Sequence, residues 1–431
     1  MSAFRVAVVD AFGTSFGFTG AFGAVGGEVI QVRSTPAPPV GVDPVDDRAF
    51  AHVLLHDDDL DALTAQLAAL GPVAVLAGRE TGVELADALS ERLGLASNGT
   101  ALSSARRDKY VQIETVKAQG VPGMRQLRTG DEAELLAWHE KAGGTVVVKP
   151  LRGYWGDGVS FCDLPQDSVA ALRRLRGRRT VLGEPITEVV AQEYLVGAEY
   201  IVNTVSCAGV HQLTDAWRTE RIEANGVRDL VTAQVLLRSG EQPVGELFDY
   251  GRRVLDALGI RYGAAHLEIK LTPDGPRLVE AGARVSGLPY YTADVLGEGQ
   301  LEWTVDAYVR PERFRARAGR PYQRRHAFAW AALVAPASGR LRGYRALDRL
   351  KQLASFRSLT VLVRPGDAIT ATTYDREYPA TLTLGHPGDA VLQRDLNTVR
   401  YLDGHGMYEI TPAADMACRR PPSLPPAGTP R

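Results

Sequence analysis

A chain of 431 residues is long enough for two to four domains or subdomains with sizeable cores. A formal net charge of −2, with 45% hydrophobic and 23% charged residues, is ordinary for a soluble globular protein and excludes a general pull toward nucleic acid or an anionic membrane. Cys162, Cys207 and Cys418 lie far apart in odd number, which argues against a disulfide framework and for a reducing cytoplasm.

Asp10 interrupts the apolar start before a signal-peptide core can form, and no apolar run approaches membrane-spanning length. Residues 4–10 read as a buried strand, followed by a glycine-rich turn (Gly13, Gly17, Gly20, Gly23, Gly26, Gly27) and a second strand at 28–32. The glycines do not spell the dinucleotide fingerprint, so tight turns and close packing are the favoured reading. Asp57, Asp58, Asp59 and Asp61 precede leucines at helical spacing and suit the first turn of a helix better than a metal cluster. A strand at 72–77 and a helix ended by Gly94 complete an alternating pattern, a small parallel α/β domain over 1–105.

Lysine is scarce beside arginine, so each lysine carries more weight. Lys109 falls in the first turn of a helix running toward Gln119, where the helix dipole disfavours a cation. A ligand anion would compensate there; a solvated lysine is the plainer reading. Lys149 ends a buried strand at 145–150, and Gly153, Gly156 and Gly158 follow in a hairpin loop. Glycines let backbone N–H groups approach phosphate oxygens and a lysine adds a point charge, although this is not a Walker A loop. The arginine run at 173–179 reads first as a solvated helix face and second as a docking site for an acidic partner.

A strand edge near 191–195, a turn at Gly197 and a β-branched strand to Cys207 come next, then a turn at Ala208-Gly209, a strand to Trp217 and a helix at 248–258. Residues 264–284 form a hairpin about Pro273-Asp274-Gly275-Pro276. With Asp274 at its centre, Glu268 lies opposite Glu280. Such pairs sit roughly 4.5–5.5 Å apart at Cβ, and like charges there are destabilising. The pair asks for a cation such as Mg²⁺; alternatively, a bulge shifts the register and both carboxylates are solvated. His266 and Lys270 share that face by alternation, with no role fixed. Short strands at 328–334, 359–363, 368–373 and 380–384 give a β-rich C-terminal domain, and a proline-rich tail without apolar periodicity reads as disordered.

In order, Arg-Arg-Asp-Lys109, Val-Val-Lys149-Pro with its glycine loop, Gln-Glu-Tyr-Leu-x-Gly-x-Glu199, and His-Leu-Glu268 through Glu280 to Arg284 resemble the ATP-grasp superfamily of carboxylate–amine ligases. More narrowly, the chain resembles the bacterial L-amino acid (dipeptide) ligases of the alanine–anticapsin type. Gly78-Arg-Glu-Thr-Gly resembles the helix start of that family's first domain, and Gly339-Arg-Leu-Arg-Gly and Gly366-Asp367 resemble its last.

The resemblance implies an α/β ATP-grasp fold. It divides into a Rossmann-like pre-ATP-grasp domain (1–105), a small subdomain with the phosphate loop (106–190), a large subdomain with the metal site (191–315), a β-rich domain (316–416) and a tail (417–431). It implies that Lys109 and Lys149 contact ATP phosphates under the Gly153–Gly156–Gly158 loop. Backbone groups near Gln192, Glu193 and Leu195 hold adenine, and Glu199 holds the ribose hydroxyls. Glu268 and Glu280 carry Mg²⁺, with Mn²⁺ as a substitute, and Arg284 stabilises the transferring phosphoryl group and the acyl phosphate.

Two departures stand out. Gly282 occupies a position where many members carry Asn, and Arg152, Tyr154 and Trp155 stand in the phosphate loop where small residues are usual. Those bulky groups either cap the nucleotide, shape the substrate pocket or pack on the loop's outer face. The expected activity joins the carboxylate of one amino acid to the amine of a second, in a cytoplasmic homodimer without nucleic-acid or membrane partners. Two alternatives remain: an acceptor that is a carrier-protein thiol or a natural-product amine, the carrier docking on the arginine run, and a non-catalytic nucleotide sensor.

Overall fold

The computed structural model describes residues 4–38, 42, 44–153, 156–180, 183–287, 295–375 and 377–412. Tyr154, Trp155 and the expected tail at 417–431 lie outside the described residues.

The apolar runs β1 (Phe4–Val9), β2 (Gly27–Arg33), β3 (His52–Leu55) and β4 (Pro72–Ala77) form a parallel sheet in the order β3-β2-β1-β4. A short helix α1 (Phe18–Gly23) links the first two, and α2 (Leu60–Leu70) and α3 (Val83–Arg92) follow. Asp59 caps α2 by accepting from the Ala62 N–H, so the aspartate cluster is a helix start. Leu63, Leu67 and Leu89 on these helices pack against Val9, Ile30, Val32 and Val75 of the sheet.

After α4 (Lys109–Ala118), capped by Asp108, come β5 (Gln126–Thr129), α5 (Glu132–Ala142), β6 (Val146–Pro150), β7 (Ser160–Cys162), α6 (Pro165–Leu175) and β8 (Val189–Glu193). The strands form an antiparallel sheet, β5-β8-β6-β7, and Leu135 of α5 with Leu172 and Leu175 of α6 covers Val146, Val148 and Ala191. Then β9 (Ala198–Cys207), β10 (Val210–Ala224) and β11 (Val227–Leu236) are joined by two tight turns. Ala208-Gly209 and Asn225-Gly226 both have positive φ, as two-residue hairpins of the right twist require.

The helix α7 (Val244–Ala257), the hairpin β12 (Gly263–Thr272) and β13 (Gly275–Gly282), and the helices α8 (Gln300–Val309) and α9 (Pro311–Arg317) follow. The rest is β14 (Ala327–Ala332), β15 (Gly339–Tyr344), α10 (Leu347–Lys351), β16 (Phe356–Val361), β17 (Ala368–Ile369), β18 (Ala380–His386), α11 (Asp389–Gly404) and β19 (Tyr408–Pro412).

The chain divides into two compact units, residues 1–219 with 236–325, and 220–235 with 326–431. In the first, β13-β12-β9-β10 run antiparallel, and Val254 and Leu255 of α7 with Ile113 and Val116 of α4 bury Leu267 and Ile269 of β12. In the second, β11-β14-β18-β16 carry α11 through Leu392, Leu396, Val399 and Leu402, beside a small sheet β17-β15-β19. Sequence patterning differs here in two respects. The strand β11, from within 191–315, belongs with the C-terminal unit, and that unit contains a helix of 16 residues as well as strands. Among the described residues no helix is long and apolar enough to cross a membrane.

Candidate active site

The β12–β13 hairpin pairs Thr272 with Gly275 and Ile269 with Leu278, so its turn is the two residues Pro273-Asp274 and not a loop centred on Asp274. A regular ladder from that turn would set Glu268 against Val279. A bulge between Glu268 and Ile269 absorbs one residue and brings Glu268 opposite Glu280. The bulge therefore makes the acidic pair instead of dispersing it. Both carboxylates stay partly exposed, at 33% and 27% of the side chain.

Lys109 is buried at the first position of α4 and is not a solvated lysine. Its Nζ donates to Glu280 Oε1 at 2.9 Å and to the Gly153 carbonyl at 2.7 Å. Lys149, also buried, is pushed down to about 8, first by burial and then by the like charge of Lys109, against the opposing pull of Glu280, Glu268 and Glu199. Five charges from α4, β6, β9, β12 and β13 thus act on one another at one place. Glu199 is buried on β9, where its cross-strand partners are Lys270 and Thr219.

Gly153, Gly156 and Gly158 all have positive φ. At Gly158 a Cβ would lie 2.8 Å from Leu175 and 3.1 Å from Pro150, so the loop can close over β6 only with glycine there. Arg152 does not lie loose on the loop. It reaches Glu84 of α3 through two nitrogens at 3.0 and 3.2 Å and Glu184 at 3.5 Å.

The stretch at 192–195 is engaged within the chain. The Gln192 amide donates to Gln126 Oε1 at 2.9 Å. The Glu193 N–H donates to the Arg125 carbonyl, and its carboxylate pairs with Arg125 at 2.6 Å. The Leu195 carbonyl accepts from Lys270 Nζ at 3.1 Å, and that ammonium sits 4.5 Å from the centre of the Tyr194 ring. The Glu193 side chain is therefore not among the charges gathered around Lys149.

Arg284 Nε lies 3.3 Å from Glu80 Oε2, and Arg107 Nη1 lies 3.2 Å from Glu80 Oε1. Burial alone would raise the Glu80 carboxyl, but Arg107, Arg284 and Lys109 outweigh it and hold it below the usual carboxylate range. Sequence reasoning did not bring Glu80 and Arg107 together with Arg284. The Gly-Arg-Glu-Thr-Gly stretch was legible as a helix start, but nothing in its spacing says that its glutamate meets Arg284. The same contact explains Gly282. A Cβ there would lie 3.1 Å from Glu80 Oε2 and 3.2 Å from Arg284 Cζ, so this pair fills the room that a side chain would need.

Among the described residues no group of three or more His, Cys, Asp or Glu side chains could hold a metal by itself. Glu268 and Glu280 offer two hard oxygen ligands. That fits Mg²⁺, which uses one or two carboxylates and completes its shell with water and substrate phosphates.

An ATP-grasp domain is matched over residues 143–290. The chain is 30% identical over 408 residues to dapdiamide A synthase of Enterobacter agglomerans, covering 92% of this chain and 95% of that one. Among solved structures it resembles L-amino acid ligase from Bacillus licheniformis (TM-score 0.71, 17% identity, 95% of this chain and 98% of that one). It also resembles carboxyaminoimidazole ribonucleotide synthase from Aspergillus clavatus complexed with ATP (TM-score 0.66, 14% identity, 93% and 98%). At these identities the two structures speak to the fold alone.

Proposed function

Because the chain belongs to the ATP-grasp family of carboxylate–amine ligases, we propose that it converts the carboxylate of one amino acid to an acyl phosphate and couples it to the amine of a second amino acid or small amine, in specialised metabolism. The observation that carries this reading is the Glu268–Glu280 pair facing Lys109 and Lys149.

Bound Mg²⁺, or Mn²⁺ on the same oxygen ligands, supplies charge neutralisation at the ATP phosphates. Glu268 and Glu280 hold it. Lys109 and Lys149 bind phosphate oxygens, together with backbone N–H groups of the loop at Gly153, Gly156 and Gly158. Backbone groups near Gln192, Glu193 and Leu195 take the adenine, and Glu199 the ribose hydroxyls. A substrate carboxylate oxygen attacks the γ-phosphorus and ADP departs. The amine then attacks the acyl carbon, phosphate leaves, and the amine gives up a proton. Arg284, aimed by its contact with Glu80, neutralises the phosphoryl group in both steps, so the protein's part is positioning and charge neutralisation.

The carrier-thiol alternative is less well supported. Arg173 and Arg176 pair with Glu132, Arg178 lies near Asp157, and Arg174 donates to Ser160, so the basic run already has partners of its own. Phosphate release from ATP with Mg²⁺, screened over pairs of amino acids with mass analysis of products, tests the proposal. Turnover that needs two small molecules supports it; turnover only with a carrier protein, or in no mixture at all, overturns it.

A further inference from the structure

The connection between β8 and β9 is not part of a strand, yet its main chain is firmly held. The strand β8 ends at Glu193 and β9 begins at Ala198. At the near end the Tyr194 N–H donates to the Thr145 carbonyl at 3.0 Å, and the Tyr194 ring meets Phe161 edge to face. At the far end a Cβ on Gly197 would collide with the Leu271 carbonyl oxygen and lie 2.8 Å from its carbon, so the turn rests on the backbone of β12 and only glycine fits. Between these anchors a side chain holds the main chain: Lys270 Nζ donates to the Leu195 carbonyl at 3.1 Å.

Lys270 is itself buried, so its ammonium needs partners inside the protein. It has the Leu195 carbonyl, the Tyr194 ring at 4.5 Å and, directly across the β9–β12 ladder, Glu199. Residues paired in this way point to one face of the sheet, roughly 4.5–5.5 Å apart at Cβ, and opposite charges there attract. Glu199 is buried too, and it also acts on the charge of Lys149. One ammonium thus lies between the main chain at 194–195 and the Glu199 carboxylate.

We propose that Lys270 is a positioning residue for the nucleoside half of the ATP site. Its ammonium holds the main chain that takes the base and balances the carboxylate that takes the ribose hydroxyls, so one side chain sets both. The phosphate half belongs to Lys109, Lys149 and the glycine loop and does not pass through it. The inference rests on the ligase reading for the identity of the nucleotide. Loss of Lys270 therefore carries a signature: nucleoside recognition falls while phosphate binding stays. A side chain that merely packed the hairpin would weaken both together.

The test is calorimetric binding of three probes, ADP, 2′-deoxy-ADP and tripolyphosphate, to the full chain with Mg²⁺ present. Lys270→Met keeps the apolar stem and removes the charge. ADP should bind to it about tenfold or more weakly, the scale of losing a hydrogen bond from a charged group. Tripolyphosphate should bind as it does to wild type, and the preference for ADP over 2′-deoxy-ADP should shrink. Unchanged ADP binding overturns the proposal, and so does tripolyphosphate weakened to the same extent as ADP. ADP weakened with the preference intact, or a wild type without that preference, overturns the link through Glu199. Should the variant fail to fold, Lys270→Gln, which keeps a donor for the Leu195 carbonyl but no charge for Glu199, is expected to shrink the same preference; an unchanged preference there overturns the link. Wild-type protein that binds neither nucleotide overturns the ligase reading, and the proposal falls with it. Wild-type protein that binds both, with Lys270→Met unaffected, overturns the proposal alone.

Discussion

Arg106 and Lys109 are three residues apart, both buried and both paired with a carboxylate, yet they sit in different kinds of site. Arg106 is fully buried and its donors are saturated by fixed groups: Asp87, and the carbonyls of Leu258, Asn98 and Gly99. Asp87 takes Ser103 as well, and although burial raises its carboxyl, every group around it is part of the fold. Lys109 has one loop carbonyl and Glu280, a carboxylate that is 27% exposed, with Lys149 as a second cation drawing on the same anions. A closed set of partners holds a structure together. A set in which two cations share partly exposed carboxylates can exchange them for a ligand's charges at little structural cost.

Substitution on the two sides should therefore fail differently. Glu280→Gln keeps an oxygen for Lys109 but halves the charge of the acidic pair. Ligation should fall by roughly 10²–10³, the scale of about 3–4 kcal/mol for losing one group aimed at developing charge, with thermal unfolding unchanged. Near wild-type turnover in that variant would remove Glu280 from the chemistry.

Arg106→Leu is the opposite case. It strands Asp87 in the interior, and breaking a buried pair from one side costs about 3–5 kcal/mol. Denaturant unfolding should show that loss, while turnover per folded molecule stays at the wild-type level. A specific activity that falls with stability intact would move Arg106 to the side of Lys109.

The same contrast marks what was legible in the sequence. Elements with a strong period or cap, such as β1, α2 and α7, are readable because local spacing decides them. Asn225-Gly226, a strong hairpin dipeptide, is the local signal that marks the start of β11. At the site, a turn centred on Asp274 sets Glu268 opposite Glu280. The pairing is right, but a bulge that no composition reveals makes it so. Contacts between distant segments, such as Glu80 with Arg284 or Arg152 with Glu84, were not legible, since no local pattern encodes which surfaces meet.

Lys149 sharpens the electrostatic half of the comparison. Its value of about 8 lies below the 10.5 of a free lysine. The cost of burying its charge is thus fully present below pH about 8 and is relieved as pH rises from there toward 10.5. In the proposed role ATP binding uses the Lys149 ammonium, and on that reading affinity should fall as pH rises through about 8. Bound phosphates restore the charge, so binding in that window should take up a proton. Calorimetry in two buffers of different ionisation enthalpy reads this directly; no proton uptake there would mean that Lys149 does not meet the phosphates.

The smallest effect is expected at Arg152, which ties the glycine loop to Glu84 and Glu184. These pairs are partly exposed, and such pairs contribute roughly 0.2–1 kcal/mol. Unfolding of Arg152→Ala should stay close to wild type. The loop, however, loses the tether that pre-orders it beside Gly153, so part of its ordering falls on nucleotide binding. KM for ATP should rise by at most about fivefold, with kcat unchanged. Because salt screens such pairs, the gap between wild type and variant should narrow as ionic strength rises. A gap that persists at high salt would mean that Arg152 acts on the nucleotide itself and not through its carboxylate partners.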